Sequence, residues 1–126
     1  MIEKRLLAPD RVRVPPREGF SWIDRRFLRD HASRLSGDAV LLYFFLAAVG
    51  DRHGLSFYSD ATIAVRLRMR EASVVAAREQ LLIQDLVAYH PPLTQVLSLP
   101  QGRIQRGGLQ TIAELFRGLS SDVQGR

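Results

Sequence analysis

The residues with the clearest binding chemistry in this sequence are its arginines. Of the 18 Lys and Arg residues, 17 are arginine, and the formal net charge is +5. Guanidinium groups bind phosphate oxygens through paired, forked hydrogen bonds, so this composition favours a polyanionic partner. A GC-rich genome enriched in arginine codons would produce the same count, and composition alone leaves both explanations open.

The positive charge is concentrated towards the ends of the chain. Residues 1–34 carry nine basic and five acidic side chains, residues 35–99 carry five and six, and residues 100–126 carry four and two. The central stretch is therefore close to neutral. The basic character lies in the flanks and in the first predicted helix.

The sequence offers little for catalysis. It contains no cysteine, its histidines (His31, His53 and His90) lack the spacing of paired metal ligands, and its carboxylates are scattered singly among arginines. A phosphate-binding glycine loop and a Gly-x-Ser-x-Gly nucleophile motif are also absent from it. We therefore expect no enzyme activity, no catalytic residues, no bound metal and no cofactor.

Two helices are predicted at the start of the folded region. The first is amphipathic and has its N-cap at Ser21 or Asp24; its inward positions recur every four residues, at Ile23, Phe27, His31 and Leu35. The second begins after the N-cap Ser36, runs to about Val49 and is apolar on every face, so we expect it to be the centre of the core. The aromatic residues at helical spacing are expected in the core rather than on a base-stacking surface: Trp22, Phe27, Phe44 and Phe45.

A second pair of helices and a hairpin follow. After a turn at 50–54, residues 55–58 are predicted to form a strand, and Ser59 to cap a third helix with Ile63, Ala64 and Leu67 facing inward. A tight turn at 68–70 leads to a fourth helix over about 71–84, with Val74, Ala77 or Arg78, and Leu81 on its buried side. Residues 86–89 and 95–99 are strand-like and are joined across Pro91-Pro92, which predicts a hairpin.

The chain divides into three parts. Residues 1–20 predict a basic, proline-containing arm, residues 21–99 a folded domain, and residues 100–126 a glycine-containing linker with a short amphipathic helix. The apolar positions of that last helix would dock on the domain, pair with a second chain or fray; they are Leu109, Ile112, Phe116 and Leu119. The longest apolar run, residues 39–49, is too short to span a bilayer, so we expect no membrane segment here and interpret the run as a buried helix.

The order helix, helix, strand, helix, turn, helix, hairpin is that of a winged helix. The stretch from Ser59 to Val74 resembles the helix-turn-helix of bacterial GntR-type regulators, and residues 35–56 are similar to the N-terminal domains of plasmid replication initiators and DnaD-like primosome proteins. The resemblance implies a mainly helical winged helix-turn-helix with a hairpin or small three-stranded sheet. It also implies a cytoplasmic, nucleoid-associated protein that binds double-stranded DNA as a transcription regulator or a replication or mobile-element factor.

By this resemblance, the fourth helix is a recognition helix that enters the major groove. Arg70 would read guanine or hold a phosphate, and Ser73 would contact a phosphate or a base edge. Val75 or Ala76 would touch a thymine methyl group.

The sequence departs from the family pattern at the turn. Arg68 replaces the usual glycine, so that a positive φ there would be strained. Arg70 replaces the usual N-cap serine and forgoes its capping hydrogen bond.

Contacts to the DNA backbone are predicted for three groups of arginines. They are the arm (Arg5, Arg11, Arg13 and Arg17), the first helix (Arg25 and Arg29) and the turn (Arg66, Arg68 and Arg70). Arg26 and Arg34 are expected to pair with Asp30 instead. The predicted hairpin tip, residues 90–93, has no Arg or Lys and is a poor phosphate clamp.

A second interpretation is a winged helix that binds proteins or dimerises and has no strong affinity for DNA. The near-neutral centre and the outward face of the fourth helix, with Glu71, Val75, Ala76 and Glu79, favour it, whereas the basic arm and the turn arginines favour DNA. A homodimer through the C-terminal helix is a further expectation.

Overall fold

The computed structural model describes residues 2–100. The predicted C-terminal helix, and with it the predicted dimer contact, lies outside these residues. Residues 2–22 are all exposed, and the arm they contain has one short element, a 3₁₀ turn at Pro9–Arg11. The arm arginines therefore do not pack against the domain.

The first predicted helix is shorter and less regular than expected. Helical backbone begins at Arg25, widens into a π-helical turn at Phe27–His31 and tightens into a 3₁₀ turn at Ala32–Arg34. Asp24 is the capping residue, because its carboxylate accepts a hydrogen bond from the backbone N–H of Arg26 at 2.9 Å. Ser21 instead donates its hydroxyl to the carbonyl of Ala48 at 2.9 Å and ties the chain to the next helix.

Helix α1, Gly37–Val49, lies at the centre of the core, as predicted. The hydroxyl of Ser36 accepts from the backbone N–H of Ala39 at 3.1 Å and caps the helix, which satisfies one of the donors left open at a helix N-terminus. The helix buries Ala39, Leu42, Tyr43 and Leu46. The ring of Phe27 stacks on Tyr43 with centroids 3.9 Å apart.

Helices α2 (Asp60–Leu67) and α3 (Glu71–Ile83) pack beside α1. The hydroxyl of Ser59 accepts from the backbone N–H of Thr62 at 3.1 Å, so the predicted cap of α2 is confirmed. The apolar sides of the two helices enter the core through Ile63, Ala64, Val74, Ala77 and Leu81.

Three antiparallel strands complete the fold: β1 (Leu55–Ser56), β2 (Val87–His90) and β3 (Leu93–Val96), in the spatial order β1-β3-β2. The predicted position of the last strand, 95–99, is wrong. A two-residue turn at Pro91-Pro92 pairs His90 directly with Leu93, so β3 begins two residues earlier. Strand β1 is also shorter than predicted and ends at Ser56, opposite Thr94.

Gly54 is required where the chain enters β1. Its φ is +83°, and a Cβ built there would lie 2.6 Å from the carbonyl oxygen of Val96. Only glycine accepts both the left-handed backbone and the close approach to β3.

Trp22 does not belong to the core. It is 76% exposed, whereas Phe27 is fully buried, and Phe44 and Phe45 are half-buried against the core. The prediction failed at Trp22 because helical backbone begins only at Arg25, so the helical spacing from which the prediction was made does not extend back to Trp22.

The protein is thus mainly helical with a small three-stranded antiparallel sheet. Its apolar core is shared by α1, α2, α3 and the strands. Nowhere within residues 2–100 is there a helix of the length and apolar character that crossing a membrane requires.

Candidate nucleic-acid interface

The turn between α2 and α3 holds the two helices in close contact. Ala64 is buried, and its carbonyl accepts from the backbone N–H of Met69 at 3.0 Å. Arg68 adopts the left-handed conformation, with φ 59° and ψ 48°, which lets the chain reverse direction after α2. Arg68 therefore has the positive φ that we expected to be strained at a position without glycine.

Helix α3 turns one face to solvent along most of its length. Val74, Ala77 and Leu81 anchor its inner side and are no more than 1% exposed. Ser73 is half-buried, and the remaining outward positions are exposed: Glu71, Val75, Ala76 and Glu79. The outward face predicted from sequence is therefore available to a partner.

Arg70 stands at the N-cap of α3 and forms no side-chain capping bond. Its side chain is exposed, as are those of Arg66 and Arg68. None of the three forms an ion pair within the described part of the chain. They lie within five consecutive residues, so three uncompensated guanidinium groups share the junction of α2 and α3.

The arginines of the first helical segment are arranged differently from the prediction. Arg29, not Arg26 or Arg34, pairs with Asp30, through two hydrogen bonds of 2.9 and 3.0 Å. Arg26 pairs with Asp24 at 2.6 Å, and Arg34 donates to the backbone carbonyl of Asp30 at 2.9 Å.

These pairings change which positive charges remain available. The hydrogen bonds between Arg29 and Asp30 raise the pKa of the guanidinium group and lower the pKa of the carboxyl group, and the two charges offset each other. Arg25 is exposed and has no ion pair among residues 2–100. Arg25 and Arg29 were both predicted to contact phosphates, and Arg25 is the stronger candidate because no ion pair among the described residues offsets its charge.

The arm carries four further arginines that the structure leaves open to solvent. They are Arg5, Arg11, Arg13 and Arg17, all exposed and without an ion pair in the described region. The structure does not bring them against α3. Any joint action with the turn arginines would therefore come from a partner that contacts both.

The hairpin tip contains no Arg or Lys. His90, Pro91, Pro92 and Leu93 are exposed, with Leu93 at 43%. As expected from its composition, this loop offers no guanidinium or ammonium group to a phosphate.

Arg78, on the inner side of α3, is a structural residue. Sequence analysis left Ala77 and Arg78 as alternatives for the buried side, and both are buried. Arg78 forms an ion pair with Asp60 in the first turn of α2. Its guanidinium carbon also lies 4.1 Å from the ring centroid of Tyr89 on β2.

This arrangement joins α3, α2 and β2 through one side chain. It also removes Arg78 from the set of charges open to a ligand. The available signal was its spacing, since Arg78 follows Val74 by four residues and precedes Leu81 by three. That spacing places Arg78 on the inner side of the helix.

Within residues 2–100, no group of three or more His, Asp or Glu side chains is arranged to hold a metal ion. Comparison of the sequence with protein-family models and with curated proteins, and of the structure with solved structures, found no match.

Proposed function

We propose that this protein is a winged helix-turn-helix protein that binds double-stranded DNA. In this proposal α2, the turn and α3 form the helix-turn-helix, and β2 and β3 form the wing. Helix α3 enters the major groove. The biological role would be that of a transcription regulator or a replication or mobile-element factor in the bacterial cytoplasm.

One observation carries the proposal. Three exposed arginines that form no ion pair within residues 2–100 lie at the junction of α2 and α3, and the inner side of α3 is anchored in the core. A rigid helix with an exposed N-terminal end is what major-groove recognition requires, and arginines beside it supply phosphate contacts.

The residues of the proposed site have distinct roles. Arg66, Arg68 and Arg25 contact phosphates, while Arg70 reads guanine or a phosphate. Ser73, Val75 and Ala76 face base edges. The arm arginines follow the backbone beyond the groove, and Arg29 contributes least because Asp30 offsets its charge.

A second candidate function is protein binding through the same face. The observation in its favour is that Glu71, Val75, Ala76 and Glu79 give α3 an acidic and apolar exterior. Burial of Arg78 with Asp60 further reduces the positive charge available on α3. DNA affinity decides between the two functions.

The test is the salt dependence of binding to a pool of random-sequence duplexes, measured by fluorescence anisotropy at several salt concentrations. Each phosphate contact contributes about 0.9 to the slope of log K against log salt. Arg66→Ala should reduce the slope by about that amount.

The matched control is Arg52→Ala, which removes one exposed arginine from the turn between α1 and β1. It should leave the slope unchanged. If the two substitutions change the slope equally, the turn between α2 and α3 is not part of the interface. Absence of duplex affinity at ~50 mM salt would overturn DNA binding and leave protein binding as the better proposal.

A further inference from the structure

A groove of about 680 Å³ lies apart from α2, α3 and the turn that joins them. It is bounded by residues 20–22, Asp24 and Arg26, by the C-terminal half of α1, by the turn at 50–54 and by residues 96–99. Phe20 and Trp22 line it and are 68% and 76% exposed. No residue of α2, α3 or their turn contributes to its lining.

Part of the groove lining is apolar and part is polar or charged. Its apolar members include Ala47, Leu97 and the largely buried Leu99, together with the two exposed aromatic rings. Solvent-exposed aromatic residues grouped around a concave surface are typical of a binding site.

The charges in the groove cancel. Asp24 and Arg26 pair with each other at 2.6 Å. The carboxylate of Asp51 accepts from the backbone N–H groups of His53 and Leu55, at 2.8 and 3.0 Å, and Arg52 supplies the second positive charge. The groove therefore favours an apolar occupant of low net charge over a nucleic-acid strand.

We propose that the groove binds residues 109–119 of the same chain, through the side chains of Leu109, Ile112 and Phe116. These residues lie outside the described part of the chain, and their sequence meets the chemical requirement. The apolar positions recur at three- and four-residue steps, and Glu114 and Arg117 offset each other in charge.

The position of the segment along the chain supports this occupant. Leu99 is itself part of the lining, and nine residues with three glycines join it to Leu109. Nine residues reach at most ~30 Å when extended, enough to return the segment to the groove. A connection this short gives an effective concentration of about millimolar, so the segment of the same chain outcompetes that of a second copy at lower protein concentrations.

Trp22 makes the proposal directly measurable, because it is the only tryptophan in the chain. The full chain is compared, without DNA, with the full-chain variant Leu109→Ser/Ile112→Ser/Phe116→Ser. Loss of the bound segment should shift Trp22 emission to longer wavelength and increase its quenching by acrylamide. The matched control, Gln105→Ser/Gln110→Ser/Thr111→Ser, changes three polar residues of the same region and should behave as the parent chain.

A groove variant completes the test. Ala47→Glu places a charge in the lining and should produce the same emission shift. Combined with the triple serine variant, it should cause no additional shift. Far-UV circular dichroism verifies that each chain is folded. Equal emission from the parent and the triple variant would overturn the proposal, and so would an emission difference that appears only as protein concentration rises. The measurement is made without DNA, so its outcome is independent of the proposed function.

Discussion

Arg68 combines an unfavourable backbone conformation with an exposed charge. Its φ of 59° lies in the left-handed region, which costs a side-chain-bearing residue roughly 1 kcal/mol. Glycine would adopt this conformation without that cost. The stability of the turn therefore does not explain arginine at this position, and in the proposed function its charge serves the DNA interface.

Two substitutions of Arg68 separate strain from charge. Arg68→Gly and Arg68→Ala both remove the guanidinium group, but only glycine relieves the backbone. We expect the glycine variant to exceed the alanine variant in free energy of unfolding by about 1 kcal/mol, measured by urea denaturation. Both variants should lose the same DNA affinity. Equal stability would contradict strain at this turn, and unchanged affinity would remove Arg68 from the interface.

Asp24 provides a prediction about pH. The side-chain hydrogen bond from Arg26, together with the backbone N–H of Arg26, lowers the pKa of Asp24 from 3.8 to about 2. A carboxyl whose pKa is lowered by folding stabilises the native state when ionised. Its contribution is complete above pH 3.8 and is lost as the pH falls towards 2.

The variant Asp24→Asn tests this linkage. Its deficit in free energy of unfolding relative to the parent chain should be largest above pH 3.8 and should shrink as the pH falls towards 2. Asp10→Asn, an exposed carboxyl of the arm without an ion pair in the described region, serves as the control. A deficit that stays constant across this interval would show that the Asp24 carboxyl is not stabilised by folding.

At the residue scale, sequence predicts contacts that are local and rigid. Ser36 and Ser59 were identified as caps because each needs only a backbone N–H three residues away. The partner of Asp30 was not identified correctly, because several long arginine side chains lie within reach of its carboxylate. Choosing Arg29 over Arg26 required knowing that Asp24 engages Arg26.

At the scale of elements, periodicity predicted the helices better than the strands. Helices α1, α2 and α3 lie close to their predicted positions. Serine side chains cap α1 and α2, and the buried positions of all three helices follow helical spacing. The position of β3 depends on the geometry of the Pro91-Pro92 turn, which fixes the pairing of His90 with Leu93. A run of strand-like residues at 95–99 does not encode that register.

The arm is the element whose contribution to DNA binding is purely electrostatic in the proposal. Arg11→Ala/Arg13→Ala should flatten the salt dependence of duplex binding by about 1.8, two phosphate contacts at about 0.9 each. Arg11→Lys/Arg13→Lys keeps both charges and should retain most of the parent slope. If the alanine pair leaves the slope unchanged, the arm does not lie on the DNA backbone.

At the scale of the whole molecule, Arg78 couples the proposed recognition helix to the rest of the domain. It contacts Asp60 at the start of α2 and Tyr89 on β2. The orientation of α3 therefore depends on a polar contact as well as on Ala64 and the apolar core. Sequence spacing indicated the inner side for Arg78, but its two partners are 18 residues before it and 11 after it, and only the folded chain brings the three together.

The coupling predicts unequal effects for the two members of the ion pair. Asp60→Asn leaves the guanidinium of Arg78, whose side chain is 8% exposed, without its charged partner, and should cost about 2 kcal/mol in free energy of unfolding. Arg78→Met leaves Asp60, which is 29% exposed and can be hydrated, and should cost less.

The double variant Asp60→Asn/Arg78→Met distinguishes an unpaired buried charge from a general packing defect. Because methionine fills the site without a charge, the double variant should be more stable than Asp60→Asn alone. Urea denaturation followed by circular dichroism measures all four chains. If the two single costs simply add, the ion pair does not couple these elements, and the position of α3 rests on apolar packing alone.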